Sequence, residues 1–214
     1  MQMNRIEEIQ NKLKHELDDF RYRHTIGVMY TAASLAMCHG ANLENAMLAG
    51  LLHDCAKCIP DAQKISLCEE YQIALTDTEL KNHALIHPKL GAYIARENYG
   101  IQDMELLHAI AAHTTGHPDM TTLEKIIFIA DYIEPGRDTA PHLTELRKLA
   151  FEDLNRAMYR ILEDTLNYLH EKGGIIDSQT EATYQYYKDL TKKEDDEYGT
   201  GKTDGKACIS SVGR

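Results

Sequence analysis

Three observations predict an all-α fold, a helical bundle. Apolar residues recur at helical spacing along almost the whole chain. Glycine and proline punctuate that pattern at helix-length intervals. No run of alternating, β-branched residues reads as a strand. With 214 residues, 43% hydrophobic and 27% charged, the chain has enough apolar side chains for one sizeable core.

The elements follow in order. Ile6, Ile9, Leu13, Leu17 and Phe20 mark a first amphipathic stripe, and Met29, Ala32, Ala33, Ala36 and Met37 a second. Asn42 is placed to cap a helix over 43–56, which is apolar nearly all round and so belongs at the centre. Further helices are expected over 61–71, 78–86, 89–98, 103–114, 121–133, 142–150, 152–171 and 179–190. Gly40, Pro60, Gly100, Gly116 with Pro118, Pro135 with Gly136, and Gly173 with Gly174 mark the breaks. No internal repeat or long linker divides them, so residues 1–190 read as one domain.

The stretch 191–214 differs. It is polar, glycine-rich and without periodicity, and is expected to be a disordered tail. Gly201-Lys202-Thr203 within it superficially resembles a phosphate loop. Asp196 stands where that loop needs its first glycine, and no strand precedes it, so the match is rejected.

The chain carries 34 Asp and Glu against 23 Lys and Arg, a net charge of −11. The tail holds five residues of each sign, so the whole excess lies on 1–190. Such a balance argues against nucleic-acid and anionic-membrane partners. No apolar run reaches the roughly 18 residues of a membrane helix, and the first ten residues are too polar for a leader peptide. Five cysteines (Cys38, Cys55, Cys58, Cys68, Cys208) form no framework and are expected as reduced thiols, which points to the cytoplasm. Cys55-Ala-Lys-Cys58 has neither a second CxxC nor a strand–helix setting, and is read as incidental.

Eleven histidines against no tryptophan is the unusual feature of the composition. His53-Asp54 ends an apolar helix, and Asp131 interrupts the apolar run Ile126–Ile133. A buried carboxylate is costly unless it is paired or metal-bound. Taken singly, His53-Asp54 reads more readily as a hydrogen-bonded helix end, and Asp131 as the partner of Lys125 or Arg137. Two such acids, one beside a histidine, favour a metal centre. His24 opens the second helix, His87 precedes Pro88 at a helix boundary, and His113 ends a helix. The set His24, His53, Asp54 and Asp131, with His87 and His113 nearby, suits a first-row divalent metal rather than a thiolate zinc site. His83 and His87 also have the spacing of a zinc pair on one helix face. Gly116 and Pro118 spoil the same spacing for His113 and His117. His15, His39, His108, His142 and His170 lie in ordinary helical contexts.

The order H…HD…H…H…D on a helical chain resembles the HD-domain metal-dependent phosphohydrolases. His53-Asp54-x-Ala56-Lys57, His113-Thr114-Thr115-Gly116, the run from Leu123 through Ala130-Asp131-Tyr132-Ile133-Glu134-Pro135-Gly136-Arg137-Asp138, and Gly173-Gly174-Ile175-Ile176-Asp177-Ser178 resemble its YqeK-type branch over about residues 5–190. The resemblance implies an HD-domain helical bundle. It also implies hydrolysis of diadenosine tetraphosphate, symmetrically, to two ADP, with one or two bound divalent ions, iron first among them. His24, His53, Asp54 and Asp131 match the family's metal ligands. His87, His113, Thr114, Arg137 and the loop Gly174, Ile175, Ile176, Asp177, Ser178 and Gln179 match its nucleotide contacts, with His24, Asp54 and Asp131 also close to the phosphates.

The residues suit that chemistry. A phosphoanhydride repels its nucleophile, so the catalyst must neutralise charge and supply hydroxide near neutral pH. No serine or cysteine with an activating triad competes with metal-activated water. Lys57 and Arg137 are the cations expected to face the polyphosphate, with Lys57 in the catalytic group beside His24, His53, Asp54 and Asp131. His87 and His113 could bind phosphate, stabilise the leaving group or complete a second metal site. Gly173-Gly174 admits close backbone approach, and Ser178-x-x-Glu181 reads as a capping box. Two other readings stand beside this one: another HD-superfamily nucleotide phosphohydrolase, and a non-catalytic nucleotide-binding module, which the four intact ligand positions disfavour. The expected partner is a small dinucleoside polyphosphate; a homodimer is compatible with all three readings.

Overall fold

Helices α2 (Asp19–His39) and α3 (Leu43–Leu52) form the centre of the fold, packed along each other in this computed structural model. The structure describes the backbone of residues 2–200 and side-chain surroundings for 5–196. Asp18 starts α2 by accepting from Arg21 N at 2.7 Å, and Gly40 ends it in the left-handed conformation. Asn42 starts α3 as its sequence predicts, accepting from Asn45 N at 3.0 Å. Val28, Met29, Ala32, Leu35 and Ala36 on α2 share one core with Ala46, Ala49, Leu51 and Leu52 on α3.

The remaining elements wrap this pair. Helix α1 (Gln2–Glu16) lies against α3, and α4 (Asp61–Glu70) against α6 (His87–Tyr99). Helix α7 (Met104–Ala112) packs between α6 and α8 (Thr122–Ile133), and α8 also packs on α2. Helices α9 (Leu143–Glu152) and α10 (Leu154–Lys172) pack on α8, and α11 (Ser178–Thr200) packs on α10. No strand occurs among the described residues, so the expected all-α class holds.

Several local expectations are corrected. Helix α3 stops at Leu52 rather than 56, because residues 53–58 tighten into turns: Cys55 N donates to Leu52 O and Lys57 N to Asp54 O. The helix expected over 78–86 is a short α5 (Asp77–Lys81) followed by a 3₁₀ turn, His83–Leu85, because Asn82 leaves helical geometry and accepts from Ala84 N. Phe20 and Met37, placed on core stripes, are exposed. Ser178 is not the cap of α11; Asp177 accepts from Gln179 N at 2.9 Å instead.

The boundary expected at residue 190 is not where α11 ends. The helix runs through the first residues of the expected tail to Thr200. Thr191 is buried, Glu194 accepts from Asn155 at 3.3 Å, and Asp195 pairs with Arg156 on α10. Residues 201–214, the rest of that expected tail, lie outside the described residues. Cys38, Cys55, Cys58 and Cys68 are unpaired, as expected, and Cys208 lies outside the described residues. No described helix is long and apolar enough to cross a membrane.

Candidate metal centre

Six side chains from five separate segments meet in one buried cluster. His24 comes from the first turns of α2, and His53 and Asp54 from the turn that ends α3. His87 opens α6, His113 follows α7, and Asp131 lies on the last turn of α8. All but Asp131 are buried.

Three of the four histidines are aimed the same way. Nδ1 of His53 lies 2.7 Å from Gly50 O, that of His87 2.6 Å from Ala84 O, and that of His113 2.7 Å from Ile110 O. A carbonyl oxygen can only accept, so Nδ1 carries the proton and Nε2 presents a lone pair. Each acceptor lies three residues back, where a helix end or 3₁₀ turn leaves a carbonyl available. His24 reaches the same state through Glu134, whose Oε1 lies 3.1 Å from its Nδ1.

The inward atoms then face acceptors. His24 Nε2 lies 3.0 Å from Asp131 Oδ1, and His87 Nε2 3.1 Å from Asp54 Oδ1. His87 Nε2 and His113 Nε2 are 3.1 Å apart. His53 Nε2 is 3.4 Å from Asp54 Oδ2 and 3.9 Å from Asp131 Oδ1. His24 Nε2, His53 Nε2 and Asp54 Oδ1 are buried, and none has a hydrogen bond of acceptable geometry. Acceptors this close repel unless a cation lies among them. Two ligand atoms about 2.1 Å from one ion and at right angles stand about 3 Å apart. The donor set therefore fits a divalent metal, with His24, His53 and Asp131 as one group and His53, Asp54 and His113 as an overlapping one.

The electrostatics favour a cation in the cluster. Burial opposes charge on Asp54, but His53, His113 and His87 outweigh it and hold its carboxyl well below the usual carboxylate range. Asp131 is lowered as well; burial is outweighed by the nearby imidazoles of His24 and His53. Burial likewise opposes charge on His53, yet Asp54 and Asp131 raise its pKa. Burial, helped by His113 and Lys57, pushes His87 down to about 4, so near neutral pH it keeps its lone pair.

Cations ring the cluster. Lys57 Nζ lies 3.3 Å from His87 Nε2, and Arg137 Nη2 lies 3.1 Å from Asp131 Oδ1. Arg21 Nη1 donates to Asp54 Oδ2 at 2.6 Å. Arg21 and Glu134 are absent from the set expected on sequence. Arg21 is one turn before His24, and Glu134 one turn after Asp131, so helical spacing from the recognised ligands was the available signal.

A cleft of about 620 Å³ opens beside the cluster. Leu85, Pro88, Ala112 and Thr115 form its wall near His87 and His113, and Asp177 and Gln179 reach it from the loop after α10. Of the other expected contacts, Thr114 is half-buried next to His113, Ile176 is half-buried, and Gly174, Ile175 and Ser178 are exposed. The His113-Thr-Thr-Gly turn is held from α11: Thr183 donates to Thr115 O at 3.1 Å, and Tyr187 accepts from Met120 N at 3.1 Å. Gly116 has φ +63, and a Cβ there would stand 2.8 Å from Thr183 Cγ2.

The HD domain family model matches residues 21–136, from Arg21 through all six clustered residues. The chain belongs to the HD-domain family. It is 43% identical to "Bis(5′-nucleosyl)-tetraphosphatase, symmetrical" of Halalkalibacterium halodurans, over 85% of this chain and 96% of that one. A Bacillus subtilis protein of the same name is 41% identical, over 86% of this chain and 97% of its own. A crystal structure from Clostridium acetobutylicum, described as a predicted HD superfamily hydrolase involved in NAD metabolism, superposes with a TM-score of 0.83 at 41% identity. That match covers 86% of this chain and 97% of the Clostridium chain. The HD-domain match and the His/Asp cluster together point to a divalent metal.

Proposed function

We propose that this chain is a symmetrical bis(5′-nucleosyl)-tetraphosphatase, converting diadenosine tetraphosphate and water to two ADP. One observation carries the reading: a buried cluster of His and Asp acceptors, spaced as ligands, is edged by Lys57, Arg21 and Arg137. Its near-full-length relatives carry that enzyme name. A net charge of −11 would repel a tetraphosphate; the cationic edge reverses that field locally.

His24, His53, Asp54 and Asp131 would hold the metal, with iron as the proposed ion. When bound, the metal supplies Lewis acidity toward a phosphoryl oxygen and lowers the pKa of water. The protein's own groups do the rest. Arg137 has a buried Nε without a partner and a fork suited to two phosphate oxygens. Lys57 and His113 would face the phosphates from the other side, with His87 between them. The cleft would take a nucleoside, its base against Leu85, Pro88 and Ala112 and its polar edge toward Asp177 and Gln179. Water oxygen ends on one inner phosphate, and the bond between the second and third phosphates breaks. The proposal includes a cytoplasmic site of action and no nucleic-acid or membrane partner.

Product analysis tests it. The metal-loaded protein should release ADP alone from diadenosine tetraphosphate; ATP plus AMP would overturn the reading. Elemental analysis of the purified protein should find iron. Asp54→Ala and Asp131→Ala should abolish both metal retention and hydrolysis while leaving the helical circular dichroism intact.

A further inference from the structure

Glu134 is a buried carboxylate with no part in the chemistry above. Its Oε1 meets His24 Nδ1 at 3.1 Å, and its Oε2 accepts from Gly136 N at 2.6 Å. Its backbone is pinned too: Arg147 donates to Ile133 O at 2.9 Å, to Glu134 O at 3.0 Å and to Arg137 O at 2.8 Å.

The space it fills exists because two residues lack a side chain. A Cβ on Gly27 would stand 2.4 Å from Glu134 Oε2 and 3.2 Å from its Cδ. A Cβ on Gly136 would stand 3.0 Å from Oε2 and 3.1 Å from Oε1. Gly27 lies inside α2 without a positive φ, where alanine would suit the helix better. Helix geometry gives no reason for glycine there; the carboxylate does.

We propose that Glu134 is a positioning residue for the metal centre, fixing the tautomer and orientation of His24 from a socket that glycine at 27 and 136 leaves open. The other three histidines of the cluster take Nδ1 anchors from backbone carbonyls. His24 sits near the start of α2, where the three-back acceptor is the carbonyl of Arg21 rather than that of a helix end. A carboxylate makes a stronger, charge-assisted bond and increases the basicity of the opposite nitrogen. The inference rests on reading His24 as a metal ligand, and on nothing about the substrate.

The test is metal titration of the metal-free protein with Mn²⁺, without substrate, together with ¹⁵N spectra of the histidine rings. Glu134→Ala should weaken binding by roughly 10–100-fold, and the His24 Nδ1–H signature should be lost. Glu134→Gln keeps an acceptor without the charge and should lose less. Gly27→Ala should reproduce the defect by displacing the carboxylate, and should add little in a Glu134→Ala background. Circular dichroism checks folding; should Glu134→Ala fail to fold, Glu134→Gln and Gly27→Ala carry the same test. Parent-like metal affinity in Gly27→Ala and Glu134→Gln, an unchanged His24 tautomer, or fully additive losses would overturn the inference. His24→Ala separates the two readings. If it loses metal while the Glu134 and Gly27 variants do not, this inference alone falls. If it too binds like the parent, the metal reading falls and takes the inference with it.

Discussion

Arg21 shows how a surface residue type becomes part of a buried site. Its guanidinium holds Asp54 Oδ2 at 2.6 Å, and its side chain is 23% exposed, so one face still meets solvent. Such a group offsets the carboxylate charge and could also turn toward an arriving phosphate. Arg21→Ala should lower kcat/KM for the tetraphosphate by about 10–100-fold, the equivalent of one charged hydrogen bond; Arg21→Lys should recover only part of it. Steady-state kinetics at saturating metal would measure both. His24, His53, Asp54, His87, His113 and Asp131 were legible in the sequence because histidine and aspartate in apolar helix ends are costly without a purpose. Arg21 and Glu134 were not, since arginine and glutamate on a helix ordinarily face water, and only the packing of α2 against the end of α3 and against α8 turns them inward.

At the scale of elements, helix starts were easier to read than helix ends. Asn42 announced α3, while the end of α3 was misplaced because nothing in an apolar run marks where i→i−4 bonds give way to tighter turns. The start of α8 shows a cap with a second task. Glu124 closes a capping box with Thr121, accepting from Thr121 N at 2.7 Å through Oε2, while its Oε1 meets His117 Nε2 at 3.0 Å. Burial opposes charge on His117, but Glu124 outweighs it and raises its pKa above 6.5. A raised folded-state pKa contributes stability that is fully present below the unfolded value and is lost as pH rises through the folded one. The melting-temperature gap between the parent and His117→Gln should therefore be largest on the acid side of 6.5 and shrink as the pH rises above it. A gap that widens with pH would contradict the pairing.

For the whole molecule, the all-α bundle was legible from periodicity alone. The reach of α11 was not, because residues 191–200 are too polar to show an apolar stripe; Asn155, Arg156 and the buried Thr191 hold the first part of that stretch through polar contacts. Truncation after Leu190 removes those contacts but keeps Thr183 and Tyr187, which hold the turn after His113. It should lower the melting temperature by about 2–4 °C, corresponding to about 1 kcal/mol, with metal affinity unchanged. Calorimetry and metal titration of the truncated chain would check the two halves of that statement.

The carbonyl anchors on His53, His87 and His113 bear on how such a site tolerates mutation over time. An acceptor belonging to the main chain is present whatever residue occupies positions 50, 84 or 110, so drift there cannot delete it. Three corners of the cluster are thus insulated from change in their immediate support. The fourth depends on one glutamate and two glycines, which makes the α2–α8 seam the place where inherited variation can loosen or tighten the grip on metal while the remaining corners stay put.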